Sequence, residues 1–268
     1  MRKVYSILFF VMLVCVGCQW QLSHHDSEAG RSEVSLERFD RIESLYLTTG
    51  DYAALQQMNT SYPTQTRMLI EDMLRLGKVD DPAINTKFLH FFQDSTLQRM
   101  LLAVQRQYAD ADDINEELSA AFGRMREELP HLETPQIYAQ IGSFDQSIIV
   151  GNNMLGVSLD KYLGEDYPFY QDHYSLRQRK MMTRDMIVPD CLSFFLLSQY
   201  PPAPGRLSTP QERDSQMGRI QWVVNRLVSR KVFDSGQVTA VEEYMRKNSA
   251  CTVKELLENN SVSLKKND

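Results

Sequence analysis

Cysteine is scarce in this chain, with four in 268 residues. Two of these, Cys15 and Cys18, lie in an N-terminal apolar run, and Cys191 and Cys251 stand far apart downstream. That excludes a disulfide scaffold, and no C-x-x-C or Cys/His spacing of a structural zinc site occurs. The five histidines are His24, His25, His90, His131 and His173, and no H-E-x-x-H is present. The sequence also lacks a G-x-S-x-G elbow, a P-loop and a Rossmann glycine pattern. Positive charge is in deficit: 29 Lys and Arg against 35 Asp and Glu give a formal net charge of −6. An acidic balance argues against a nucleic-acid binder. No cofactor is implied by any of these patterns.

The N-terminus has a defined layout. Arg2 and Lys3 precede an apolar run from Val4 to Val16, the order of a secretory signal. As a helix this run would rise only ~20 Å, short of the ~30 Å hydrocarbon core, so it does not read as a membrane span. No later hydrophobic stretch is longer. Val16-Gly17-Cys18 resembles a bacterial lipobox, although Cys15 stands where such boxes usually carry leucine. The expectation is a signal peptide over residues 1–17 and acylation of Cys18. Several acyl chains at ~0.8 kcal/mol per buried CH₂ hold a soluble domain firmly on a membrane. Residues 18–34 then form a polar tether. Its His24-His25 pair is a weak metal candidate or, more simply, solvated linker. In an oxidising envelope compartment Cys191 and Cys251 could pair, or each could stay a buried thiol in a helix.

From residue 35 to 258 the chain reads as one globular domain, with a frayed tail at 259–268. Helical periodicity dominates. "SLERFDRIESLYL" places Leu36, Phe39, Ile42, Leu45 and Tyr46 on one face with Ser35 as N-cap. Met68, Leu69, Met73 and Leu76 follow before Gly77, then Leu97, Met100, Leu101, Val104 and Tyr108, then Leu118, Phe122, Met125 and Leu129. Asp113 and Glu116 outline a capping box. The acids Asp110, Asp112 and Asp113 lack the glycine and closing glutamate of a calcium loop.

After Pro135 the period changes to two. Ile137, Ala139 and Ile141 alternate, "SIIV" is β-branched, "GNN" supplies a turn, and Leu155, Val157 and Leu159 alternate again. The spacing predicts a small antiparallel meander between helices. Beyond it, Pro189 falls in the first turn of a helix that is apolar almost all round. "PPAPGRLSTPQERDS" reads as a loop, and Ile220, Val223, Val224 and Leu227 form a further buried stripe. The fold class is therefore α+β and predominantly helical. A meander followed by a buried helix looks like the zincin peptidase layout, but the place for its metal motif holds "VPDCLSFFL", without histidine.

The lipobox, "SLERFD", "PQIYAQIGSFDQSIIVGNNMLGVSLDKYLGEDYPFY" and "RDMIVPDCLSFF" together resemble the GldB-type gliding motility lipoproteins of Bacteroidota. The resemblance runs from about Leu36 to Tyr244 and is most specific over Gly156 to Tyr170. The segment after Gln216 is shorter than in typical members. The resemblance implies an envelope lipoprotein associated with gliding and its companion secretion machinery, without established catalysis. Its partners would be the membrane, through the lipid, and other envelope proteins.

The candidate partner-binding region is Asp160, Tyr162, Gly164, Glu165, Asp166, Tyr167, Phe169 and Tyr170, where aromatic rings alternate with acids. That mixture suits a polypeptide strand, a glycan or a cationic group. The same pattern also fits rings packed inside and acids in water. Two facing carboxylates among Asp160, Glu165 and Asp166 would be needed for a glycosidase. Cys191 with His173 would make a thiol dyad, which an apolar helix renders inert. The expected function is thus a non-catalytic structural or adaptor protein at the periplasmic face or cell surface. The alternative is a hydrolase, or a degenerate peptidase scaffold, that binds peptide or glycan.

Overall fold

The computed structural model describes residues 33–201 and 209–258. The signal peptide, Cys18, nearly all of the tether and the tail at 259–268 lie outside the described residues. At the tether's expected end, Val34 is already packed into the core and its carbonyl accepts from Ser119 Oγ. From Val34 onward the described residues form one compact unit.

The elements are β1 (Leu36–Glu37), α1 (Phe39–Thr49), α2 (Tyr52–Ser61), α3 (Pro63–Arg67, running into a π-helical turn at Met68–Met73), α4 (Ile84–Phe91), α5 (Ser95–Gln107) and α6 (Asp112–Glu128). Then come β2 (Gln136–Gln140), β3 (Ile148–Gly151), β4 (Met154–Ser158), a 3₁₀ turn at Leu159–Lys161, and the short helices α7 (Pro168–His173) and α8 (Leu176–Arg179). A 3₁₀ turn at Arg184–Met186 leads into α9 (Ile187–Gln199), followed by α10 (Pro210–Val228), α11 (Gly236–Lys247) and α12 (Val253–Glu258).

The sheet corrects the expected antiparallel meander. Its order is β1-β2-β4-β3, and both β1–β2 and β2–β4 are parallel. Only the β3–β4 hairpin is antiparallel, turning through Asn152 and Asn153, with Asn153 at φ +54°. Alternation along β2 accounts for Ile137 and Ala139 facing inward, but Tyr138 and Gln140 are equally buried. Burial on both faces is the mark of a strand with parallel neighbours and helices on each side. Nothing in this mixed sheet supports the zincin-like layout, and the buried helix that follows it, α9, presents Pro189, Asp190 and Cys191 at its start.

Three helix starts also differ. Leu36–Glu37 is a strand because Leu36 N donates to Asn115 Oδ1 and the pair aligns with Ile137 and Tyr138, so α1 begins at Phe39 and Ser35 caps nothing. Helix α1 buries Phe39 and Tyr46 of the expected face and half-buries Ile42, but Leu45 is 44% exposed while Asp40, Glu43 and Ser44 are buried. Asp113 does not cap α6; its carboxylate takes two hydrogen bonds from Arg184, which also donates to the carbonyls of Gln107 and Asp110. Residues 210–215, read as loop, already belong to α10, started by a Thr209–Glu212 capping box. The stripes of α5, α6 and α10 are buried as the periodicity predicts, except for the half-buried Leu97. Cys191 and Cys251 are free thiols, the first buried and the second half-buried.

Candidate functional site

Strand β4 runs directly into the 3₁₀ turn Leu159–Lys161 and so carries Asp160 into the interior. There the carboxylate meets the loop joining β2 to β3. Gly142 N donates to Asp160 Oδ1 at 2.7 Å and Phe144 N to Oδ2 at 2.6 Å, while Ile141 N donates to Glu43 Oε2 at 2.9 Å. Ser143 and Phe144 both sit in the left-handed region, at φ +53° and +64°. Such backbone costs about 1–3 kcal/mol per residue and persists only where surrounding contacts dictate it. The two carboxylates supply those contacts.

Aromatic rings fasten the same loop from the other side. Phe144 stacks on Phe169 with centroids 4.0 Å apart, and Phe169 on His173 at the same distance. Tyr174 Oη and Lys161 Nζ both donate to the Phe144 carbonyl. Tyr170 Oη donates to the Asp160 carbonyl and accepts from Leu163 N, and Tyr108 Oη donates to the Tyr162 carbonyl. Of the candidate residues, Asp160, Tyr162 and Tyr170 are therefore interior parts of this clasp. Gly164, at φ +108°, and Glu165, Tyr167 and Phe169 are half-buried, and Asp166 is exposed. The acid and aromatic pattern divides: Tyr162, Tyr170 and Asp160 inside, Tyr167, Phe169 and Glu165 at the margin, Asp166 in water.

Glu43 and Asp160 are buried carboxylates of different character. Burial pushes both pKa values up, Glu43 far up, where the neighbouring Asp160 and Asp40 charges add to the effect against its one amide bond. Glu43 Oε1 has no hydrogen-bond partner among the described residues. With Oε2 accepting from Ile141, a proton on Glu43 belongs on Oε1. A carboxyl whose folded pKa lies above its unfolded value of about 4.3 contributes stability that is complete below that value and lost as pH rises through the folded one. Glu43→Gln removes this loss. The variant is expected to melt above wild type at pH 8 by about 2–4 °C, the equivalent of 1 kcal/mol in a chain of this size, with the gap closing toward pH 4.5. Calorimetry across that range checks it; a deficit at pH 8 that shrinks toward pH 4.5 would mean that Glu43 is ionised in the folded protein.

Beside the clasp opens a cleft of about 340 Å³. Of the candidate residues Tyr162 lines it, joined by Lys161, Tyr174, Ser147, Arg177, Gln178, Met181, Met182 and Asp190. Asp190 sits in the first turn of α9 and accepts from Tyr162 Oη at 2.8 Å. Burial pushes its pKa up to about 6, and the tyrosine bond restrains the rise. The sequence reading missed Asp190 and Ser147. Asp190 had one usable signal, a lone acid after Pro189 in an otherwise apolar helix; Ser147 had none. Burial raises the Cys191 thiol, which leaves it poorly suited to a thiol dyad. Among the described residues no group of three or more His, Cys, Asp or Glu side chains is placed to hold a metal ion.

No curated protein and no solved structure matches the chain. Residues 22–227 match the family described as gliding motility protein GldB, a span that takes in the sheet, the clasp and the cleft and ends in α10, before α11 and α12. The match covers well over half of the sequence, and the chain belongs to the GldB gliding motility family.

Proposed function

We propose that the protein is a non-catalytic lipoprotein of the cell envelope, held to a membrane through Cys18, that serves the gliding or companion secretion machinery as a structural or adaptor component. Family membership over residues 22–227 carries this reading. The lipobox-like Val16-Gly17-Cys18 supports the lipid anchor. No helix among the described residues is long and apolar enough to cross a membrane. The buried acids Asp160, with both oxygens, and Glu43, with one, accept from backbone amides of one loop, a use that fits scaffolding. Partner contact is assigned to the rim of the clasp around the exposed Asp166.

The test is crosslinking and recovery from intact cells with wild type, Cys18→Ala and Asp166→Ala in parallel. Wild type is expected in the membrane fraction with a defined set of envelope proteins. Cys18→Ala should leave the membrane and lose them; Asp166→Ala should stay on the membrane and recover fewer. A Cys18→Ala protein that remains membrane-bound with the same set would overturn the anchor. A hydrolase reading has one observation in its favour, the half-buried Asp190 in the cleft, and turnover of a peptide or glycan by the purified protein, lost in Asp190→Asn, would replace the adaptor reading with it.

A further inference from the structure

We propose that the cleft beside the clasp is a binding site for a small zwitterion of amino-acid or dipeptide size, its ammonium group received by Asp190 and its carboxylate by Lys161 and Arg177. Charge arrangement carries the inference. Asp190, Lys161 and Arg177 all border one cleft, and among the described residues none of them forms an ion pair, with each other or elsewhere. A half-enclosed space with charges of both signs on its walls, none of them in an ion pair, holds two electrostatic poles. A purely anionic ligand would face Asp190 and a purely cationic one would face Lys161 and Arg177; only a ligand carrying both charges satisfies every wall.

Lys161 and Asp190 are held in place before any ligand arrives, which lowers the entropic cost of binding. Lys161 Nζ donates to the Phe144 carbonyl at 3.0 Å and to Tyr174 Oη at 3.1 Å, with the ammonium 4.7 Å from the Tyr174 ring centroid. An ammonium has three N–H donors, so one remains for a ligand carboxylate. Asp190 is fixed by Tyr162 Oη on Oδ2 and by its place in α9, leaving Oδ1 for an incoming N–H. Met181 and Met182 supply a polarizable wall that adapts to different side chains. A volume of about 340 Å³ lies at the small end of ligand pockets and suits one or two residues rather than an enclosed polymer.

The experiment is titration calorimetry on the full-length, detergent-solubilised lipoprotein. The probes are leucine and Ala-Leu, with N-acetyl-leucine as the carboxylate-only form and leucine amide as the ammonium-only form. At least one of the first two is expected to bind, and both blocked forms at least ten-fold more weakly. Leucine binding as well as Ala-Leu would assign a free amino acid, and Ala-Leu alone a peptide source. Asp190→Asn, which keeps the shape and the Tyr162 contact, and Arg177→Gln, at an exposed position, should each weaken binding ten-fold or more while the melting temperature of Arg177→Gln stays at wild type. No heat from either parent probe at 10 mM, or equal binding of a blocked form, overturns the proposal. The adaptor reading is decided separately, by the recovery of envelope proteins.

Discussion

Asp160→Ala is expected to destabilise the protein by about 3 kcal/mol or more. The substitution leaves Gly142 N and Phe144 N without their acceptor in the interior, and each buried unsatisfied amide costs about 1–3 kcal/mol. It also releases Ser143 and Phe144 from the contacts that hold them at positive φ, so the loop is expected to relax and to disturb the stacked Phe144, Phe169 and His173 rings. The relief of desolvating a buried carboxylate works the other way and keeps the total below the sum of the parts. Asp160→Asn separates the contributions. Its single oxygen accepts from one amide while its NH₂ group confronts the other, so about half of the loss should remain. Urea unfolding of the three proteins gives the comparison, and an alanine variant within 1 kcal/mol of wild type would show that the loop is held by its aromatic packing alone.

That prediction depends on a feature the sequence hides. Asp160 stands among Glu165, Asp166 and Asp172, and composition alone cannot separate the acid that points inward from those in water. What separates them is that Asp160 follows β4 without a break and meets amides of a loop sixteen and eighteen residues earlier in the chain. The helices were legible where burial is one-sided: the period of 3.6 in α5, α6 and α10 needs no tertiary partner to be read. The strand direction was not, because β2 and β4 are central and buried on both faces, which erases the alternation that would betray an exposed side. Leu36–Glu37 misled for the complementary reason. Its pairing with Ile137 and Tyr138 spans about a hundred residues, while the local pattern continues the helix that follows. The cleft is the extreme case, assembled from the β2–β3 loop, the turn after β4, α8 and the start of α9, so no contiguous motif could announce it.

Gly156 shows how a single residue within the family match is explained by the sheet. In β4 it is paired directly with Tyr138 of β2 on one side and Ile149 of β3 on the other. A methyl group placed on its Cα would lie 2.5 Å from Ile149 Cγ2, 2.6 Å from Tyr138 Oη and 2.7 Å from Tyr138 Cζ. All three separations are inside van der Waals contact, and a glycine within a strand commonly marks such a close approach. Tyr138 is fully buried and its ring lies edge-on to Phe39, so it has little room to withdraw; Ile149 belongs to the edge strand and can yield more. Gly156→Ala is therefore expected to cost about 2–3 kcal/mol through overpacking, above the usual preference of alanine over glycine in ordered backbone. If the tyrosine ring is the obstacle, the cost is coupled to it. Tyr138→Leu should destabilise on its own by loss of burial, yet adding Gly156→Ala to it should cost at most about 1 kcal/mol, a departure from additivity of the size that contacting residues give. Strict additivity in that cycle would place the obstruction at Ile149, where Ile149→Ala would relieve it instead.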